Sequence, residues 1–132
     1  MREIIFRGKQ VDNGEWISGD LRHWQNGKVG IHNDALRCTM VVDPETIGQY
    51  TGLKDTNGRR IFEGDIIRWD TEVACVHFGV HSTTCDYRKA SIGFFLEWKG
   101  DCMFRLDLAF WANERKIEVI GNKHDNPELL RR

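Results

Sequence analysis

The plainest pattern along the chain is a period-two alternation of apolar and polar positions. Over Glu72 to Val80, Ala74, Val76, Phe78 and Val80 fall on one face, with Val73, Cys75 and His77 on the other. Over Ile92 to Lys99, Phe94, Leu96 and Trp98 oppose Phe95, Glu97 and Lys99. Such alternation predicts strands with one core face and one wetter face. Asp65 to Trp69, Cys102 to Arg105 and Ile117 to Ile120 also have strand length and composition. Three Asn-Gly dipeptides, Asn13-Gly14, Asn26-Gly27 and Asn57-Gly58, each lie between β-branched or aromatic segments. Asn-Gly supplies the two positive-φ positions of a two-residue hairpin turn, so three hairpins are predicted. The first joins Glu3 to Val11 with Glu15 to Trp24. The second turns the chain back through Lys28 to Ile31, and the third joins Ile47 to Leu53 with Arg59 to Phe62. A strict turn at Asn13-Gly14 would oppose Asp12 and Glu15, which leaves that register open.

Helical signals are few. Leu106 to Asn113 can make two turns, with Leu106 beneath Phe110 and Leu108 near Trp111, or serve as an irregular connector. Near the end, Asn126 is placed to cap and Pro127 to open a single turn through Glu128, Leu129 and Leu130. Many short strands with few helices predict an all-β protein: a small barrel-like or strongly bent antiparallel sheet, since closure removes exposed edges. A chain of 132 residues is expected to form one domain, residues 1–132.

Composition narrows the function classes. An apolar fraction of 40%, a charged fraction of 30% and a net charge of -1 fit an ordinary folded domain and give no support to a general polyanion binder. Apolar runs are short, and charges flank the small apolar segment of Met1 to Arg7, so neither a membrane span nor a secretory leader is expected. The expected location is the cytoplasm. Cys38, Cys75, Cys85 and Cys102 form no Cys-x-x-Cys pair, which fits reduced thiols.

The stretch TIGQYTGLKDTNGRRIFEGDIIRW, residues 46–69, is crowded with turn residues and reads as strand, hairpin, strand, bend at Glu63-Gly64-Asp65, then a new strand. Together with the N-terminal MREIIFRGKQVDNGEWISGDL and the C-terminal EVIGNKHDNPELL, it resembles the YopX family of phage and prophage proteins. These blocks of 21, 24 and 13 residues cover 58 of the 132, in the family's order. Lys123 departs from the pattern, standing where an aromatic or aliphatic residue is expected. The resemblance implies a small, mostly β fold in a phage or prophage setting of a bacterial host cell. It brings no established biochemical activity.

Several residue groups have side chains capable of chemistry. Cys75, His77, His81 and Cys85 form a Cys-x-His-x3-His-x3-Cys run, a ligand set that suits tetrahedral zinc; its spacing matches no familiar zinc module, and His77 on the wetter side of a strand has an ordinary structural explanation. Glu63 and Asp65 are a carboxylate pair, better read as turn residues than as an acid and base. Asp55-Thr56-Asn57-Gly58 lacks the glycine position and terminal glutamate of a calcium loop. With no phosphate loop, nucleophile elbow or His-Glu-x-x-His motif, no catalytic residues and no cofactor are expected, zinc being the alternative. Trp16, Trp24, Trp69 and Trp98 on expected strands, with Arg22, Arg68 and Lys99 nearby, would be the stacking and phosphate contacts of a single-stranded nucleic-acid binder, Trp16, Trp69 and Arg68 foremost, although core packing is the commoner use of tryptophan. Leu129 and Leu130 would anchor the C-terminal turn in a neighbouring subunit or, more simply, in the chain's own core. The resulting expectation is a non-enzymatic module that associates with itself as a homo-oligomer or with a phage or host protein; single-stranded nucleic acid is the runner-up partner.

Overall fold

The computed structural model describes residues 3–82, 90–100 and 105–131. Two units, Met1–Gly52 and Leu53–Arg132, each have a hydrophobic core of their own.

In the first unit, β1 (Phe6–Lys9), β2 (Trp16–His23), β3 (Val29–Asn33) and β4 (Cys38–Val42) form an antiparallel meander, and β5 (Gly48–Lys54) pairs with the far side of β1. The sheet bends until β4 returns to the end of β1, where Gln10 bridges Val42 and the Asp43 N–H donates to the Lys9 carbonyl at 2.8 Å. Ile17, Val29, Ile31 and Val42 are buried inside this bend, with Phe6, Leu21, Met40 and Ile47 at their margin. Two glycines permit the curvature. A Cβ at Gly8 would stand 3.0 Å from the Val42 side chain, and one at Gly19 would collide with the His32 carbonyl oxygen. The strongly bent antiparallel sheet expected from the sequence is present, but the sheets do not close into a barrel.

The Asn-Gly turns are not the two-residue turns expected. Gly14, Gly27 and Gly58 have φ of 71°, 84° and 79°, whereas no asparagine has a positive φ among the described residues. At Trp24 to Lys28 and at Asp55 to Arg59 the chain makes a three-residue loop: Gly27 N–H donates to Trp24 at 3.1 Å, and Gly58 N–H to Asp55 at 3.0 Å. The side chains explain the difference. Asn13 and Asn26 accept from the backbone N–H two residues on, at 2.9 and 3.0 Å, which holds them outside the left-handed region and leaves that position to glycine.

In the second unit, the four strands run β10 (Glu118–Asn122), β7 (Asp65–Trp69), β8 (Glu72–Ser82) and β9 (Ala90–Trp98), all antiparallel. The expected strand at Cys102 to Arg105 falls mostly on residues outside those described. Helix α1 (Leu108–Glu114) covers one face, burying Leu108 and Trp111, and starts later than expected. Asp107, at its N-cap, gives the helix no side-chain bond because its carboxylate pairs with Arg105 at 3.0 Å. The core comprises Ile61, Ile67, Ala74, Val76, Leu96, Trp98, Leu108, Trp111, Ile117 and Val119. Both core indoles donate to one carbonyl, that of Arg105, at 3.1 Å from Trp98 and 2.8 Å from Trp111.

β6 (Arg60–Phe62) enters this unit through the Asp55 turn. The buried Asp55 carboxylate accepts from Asn57 and Arg59 N–H on Oδ1, at 2.9 and 2.8 Å, and from Val119 N–H on Oδ2 at 2.9 Å. Asp65 does related work one turn later, accepting from Phe62 N–H at 2.7 Å across the Glu63-Gly64 bend. The carboxylates in this region are therefore structural. Asp55→Ala leaves three donors without their acceptor and is expected to cost about 3 kcal/mol or more. Asp55→Asn keeps an acceptor for the turn and loses the Val119 bond, so urea unfolding should place it between the alanine variant and the native chain.

Candidate functional site

Strands β8 and β9 are longer than their neighbours, and this places the candidate site. They pair continuously from Ala74↔Trp98 to Ser82↔Ala90. Strand β7 has its last recorded pairing with β8 at Ile66↔Cys75. Beyond that point His77–Ser82 and Ala90–Phe95 pair with each other as a ribbon, and among the described residues only Phe95 has a further bridge, to Asp107.

The two faces of the ribbon differ. On the face that begins as core, Ala74, Val76, Leu96 and Trp98 are buried, and the apolar alternation then continues past the core. Phe78 is 53% exposed, Val80 71% and Ile92 71%. Phe78 and Phe94 meet edge to face at 5.1 Å, so this apolar strip is contiguous. On the opposite face, the His81 ring stacks on Phe95 at 4.9 Å and its Nδ1 lies 3.1 Å from the Gly79 carbonyl. His77 Nε2 lies 3.0 Å from Glu97 Oε2. No residue from His77 to Ser82 or from Ala90 to Leu96 is Asp, Glu, Lys or Arg. Sheet edges are usually blunted by such charges or by proline.

At the root of this second face lies a concavity of about 280 Å3, walled by Cys75, His77, Glu97, Lys99, Lys123 and Leu130. The C-terminal 3-10 turn, Pro127–Leu130, closes one side, and Lys99 Nζ donates to the Leu129 carbonyl at 3.4 Å. Asn126 stands at the N-cap of this turn but gives it no side-chain bond; its Oδ1 accepts from Asn122 N–H at 3.2 Å. Leu129 and Leu130 are thus half-buried on their own chain. Lys123, the departure from the family pattern, puts its cation at the rim.

Of the zinc candidates, Cys75 and His77 share the concavity, His81 lies further along the strand against Phe95, and Cys85 falls outside the described residues. Among the described residues, no group of three or more His, Cys, Asp or Glu is arranged to hold a metal. The nucleic-acid candidates are dispersed. Trp69 packs at the core margin, 4.9 Å from Trp111, and Arg68 is paired with Glu118 at 2.7 Å. Trp16 belongs to the other unit, with the Arg7 guanidinium 4.8 Å from its ring centroid and Lys9 Nζ 5.8 Å away. The exposed strip was not singled out from the sequence, although its alternation was visible there.

Burial pushes the Cys75 thiol from 9.0 up to about 11, with nearby Glu97 and Asp65 adding to the rise and Lys123 opposing it. A raised thiol pKa contributes stability that is complete below the unfolded value and lost as pH climbs through the folded one. Native Cys75 is expected to resist thiol reagents at neutral pH. Its share of the alkaline loss of stability should fall between 9.0 and about 11, a share that Cys75→Ala removes in urea titrations at the two ends of that window.

Among the described residues, no helix is long and apolar enough to cross a membrane. No curated protein matches the chain significantly. Among solved structures, the crystal structure of protein EF1440 from Enterococcus faecalis is similar over 99% of this chain and 100% of that one, with a TM-score of 0.57 and 23% identity, a likeness of fold. The family model described as YopX protein matches residues 5–131, which takes in the three motif blocks from Ile5 onward, the three Asn-Gly turns and the β8–β9 ribbon; the chain belongs to the YopX family.

Proposed function

We propose that this chain is a non-enzymatic assembly module, acting in a phage or prophage setting in the cytoplasm of a bacterial host, and that the β8–β9 ribbon is its contact surface. The observation that carries the reading is the apolar strip of Phe78, Val80 and Ile92, exposed on adjacent strands that outrun their own sheet. Single apolar residues on a surface are ordinary; three side by side on an uncharged ribbon are the kind of patch that marks association. A homo-oligomer is the favoured assembly, because one patch then serves both partners.

The geometry supports the other readings less. Stacking with single-stranded nucleic acid needs open aromatic faces beside basic groups. Here Trp69 is packed on Trp111, Arg68 is paired, and cations of the chain itself already lie over Trp16. A structural zinc at Cys75, His77, His81 and Cys85 would require His81 to leave its stack on Phe95.

Light scattering on the purified native chain is expected to give an oligomer mass. Val80→Lys places a charge in the exposed strip and should shift that mass to the monomer, while stability changes by no more than about 0.5 kcal/mol, as for other surface substitutions. A native chain that stays monomeric throughout the micromolar range overturns the reading.

A further inference from the structure

Past Cys75 the recorded pairing of β8 with β7 ends and its outer edge is left uncovered by that strand. Two hydrogen bonds fix which backbone groups face outward. The Val76 carbonyl accepts from Gly64 N–H at 2.8 Å, and the Leu96 N–H donates to the Leu106 carbonyl at 2.7 Å. Val76 and Leu96 stand opposite each other in the β8–β9 ladder, so at this position each strand directs its backbone away from the other. In an antiparallel ladder such pairs recur at every second residue. Phe78↔Phe94 and Val80↔Ile92 are therefore of the same kind, with their N–H and C=O groups at the ribbon's outer edges. Among the described residues, no further backbone partner is recorded for Phe78 or Val80.

The sequence along this edge is His77-Phe78-Gly79-Val80-His81, a palindrome of residue classes. If a second copy lies antiparallel about a two-fold axis at Gly79, Phe78 faces the partner's Val80, Val80 faces the partner's Phe78, and the outward N–H and C=O groups of each pair meet. His77 then faces the partner's His81, and the two Gly79 residues meet at the axis with their own backbone bonds still directed to β9. Every element matches: hydrogen-bonding position with hydrogen-bonding position, apolar with apolar, and no formal carboxylate or ammonium opposed to its own kind. A one-residue slip would place Phe78 opposite Gly79 and turn the apolar side chains to opposite faces.

The β9 edge has a similar centre at Gly93 but is less suited. Phe94 is half-buried against its own core. The segment alongside places Asp107 in a bridge with Phe95 and the Arg105–Asp107 ion pair beside that edge.

We propose that two copies of this chain join by antiparallel pairing of their β8 edges, centred on Gly79. This rests on the assembly reading above and names its partner and register. The joined ribbons form one four-stranded sheet whose apolar face combines Phe78 and Val80 of both copies.

Site-directed cross-linking tests the register. A Cβ at Gly79 would meet only Phe95, at 3.7 Å, and one at Gly93 would meet nothing within 4 Å, so cysteine fits at either position. In chains with Cys38, Cys85 and Cys102 replaced by serine, mild oxidation of Gly79→Cys is expected to give a disulfide-linked dimer on a non-reducing gel, because directly opposed residues of adjacent strands lie within disulfide reach. Gly93→Cys in the same background is expected to remain largely unlinked. A second variant, Val80→Pro, removes the outward N–H without touching the bonds to β9, and should weaken self-association by about tenfold or more while the hairpin stays folded. Linkage at Gly93 instead of Gly79, or an oligomer indifferent to Val80→Pro, overturns the β8 register and leaves the assembly reading standing. A native chain that is monomeric overturns both.

Discussion

The carboxylate of Asp55 is bound by the N–H groups of Asn57, Arg59 and Val119, residues that the sequence separates widely and the second unit brings together. A buried charge is tolerated only where hydrogen bonds replace its water, and here the backbone supplies them. The consequences extend outward. One oxygen shapes the loop that turns the chain into β6, while the other fixes the start of β10, and the Thr56 N–H to Ile117 carbonyl bond at 2.9 Å reinforces the same junction. With β10 held there, it can pair along β7 and bury Ile117 and Val119 under the core. The core then sets where β8 and β9 cease to be covered.

That boundary creates the conflict at the ribbon. Packing accounts for the alternation through Val76 and Leu96, where Leu108, Trp98 and Trp111 supply the opposing surface. Past Phe94 the pattern persists although no described residue of the unit supplies a buried surface to meet it. An isolated two-stranded hairpin is marginal in water, and an apolar strip left wet adds nothing to its stability. The ribbon keeps a hairpin's worth of backbone bonds, the Phe78–Phe94 contact and the His81 stack on Phe95, and leaves its remaining capacity on the outside.

Much of this was legible in the sequence because it depends on local rules. The alternation in β8 and β9, the positions of the three hairpins and the short terminal turn follow from residue order and turn chemistry. The family resemblance was also carried by quoted residues that the matched region covers. What failed depended on competition between bonds. Asn13 and Asn26 were expected in the left-handed region but bond forward to the backbone instead, so the Asn26 turn takes one extra residue and the Asn13 turn, closed between Gln10 and Glu15, takes two. Asn126 stands at the N-cap of the terminal turn as expected, but its side chain is diverted to the Asn122 N–H. Strand β4 went unread although Cys38-Thr39-Met40-Val41-Val42 is mostly apolar; the run lacks a clean alternation, and its place is set by pairing with β3 and closure toward β1. The ribbon's exposure was beyond reach for a different reason: it depends on the lengths of β7 and β10 relative to β8 and β9, a relation between distant segments that periodicity within one strand does not contain.

The same relation accounts for the contrast between the ribbon's two ends. Near its root, the wetter face is occupied by the chain's own C-terminal turn, with Leu130 beside Cys75 and Lys99 held to the Leu129 carbonyl. Burial there raises the Cys75 thiol above its ordinary value, which fits a small apolar filler. Farther out, no segment of the described chain performs the equivalent service for Phe78 and Val80. A sheet edge with matched donors and acceptors, apolar side chains and no charge is stable in solution only if something pairs with it or if it is short. This edge is short, and its order of residue classes reads the same in both directions about Gly79; both properties favour a partner identical to itself, since a two-fold axis there satisfies the outward groups of Phe78 and Val80 in both copies at once.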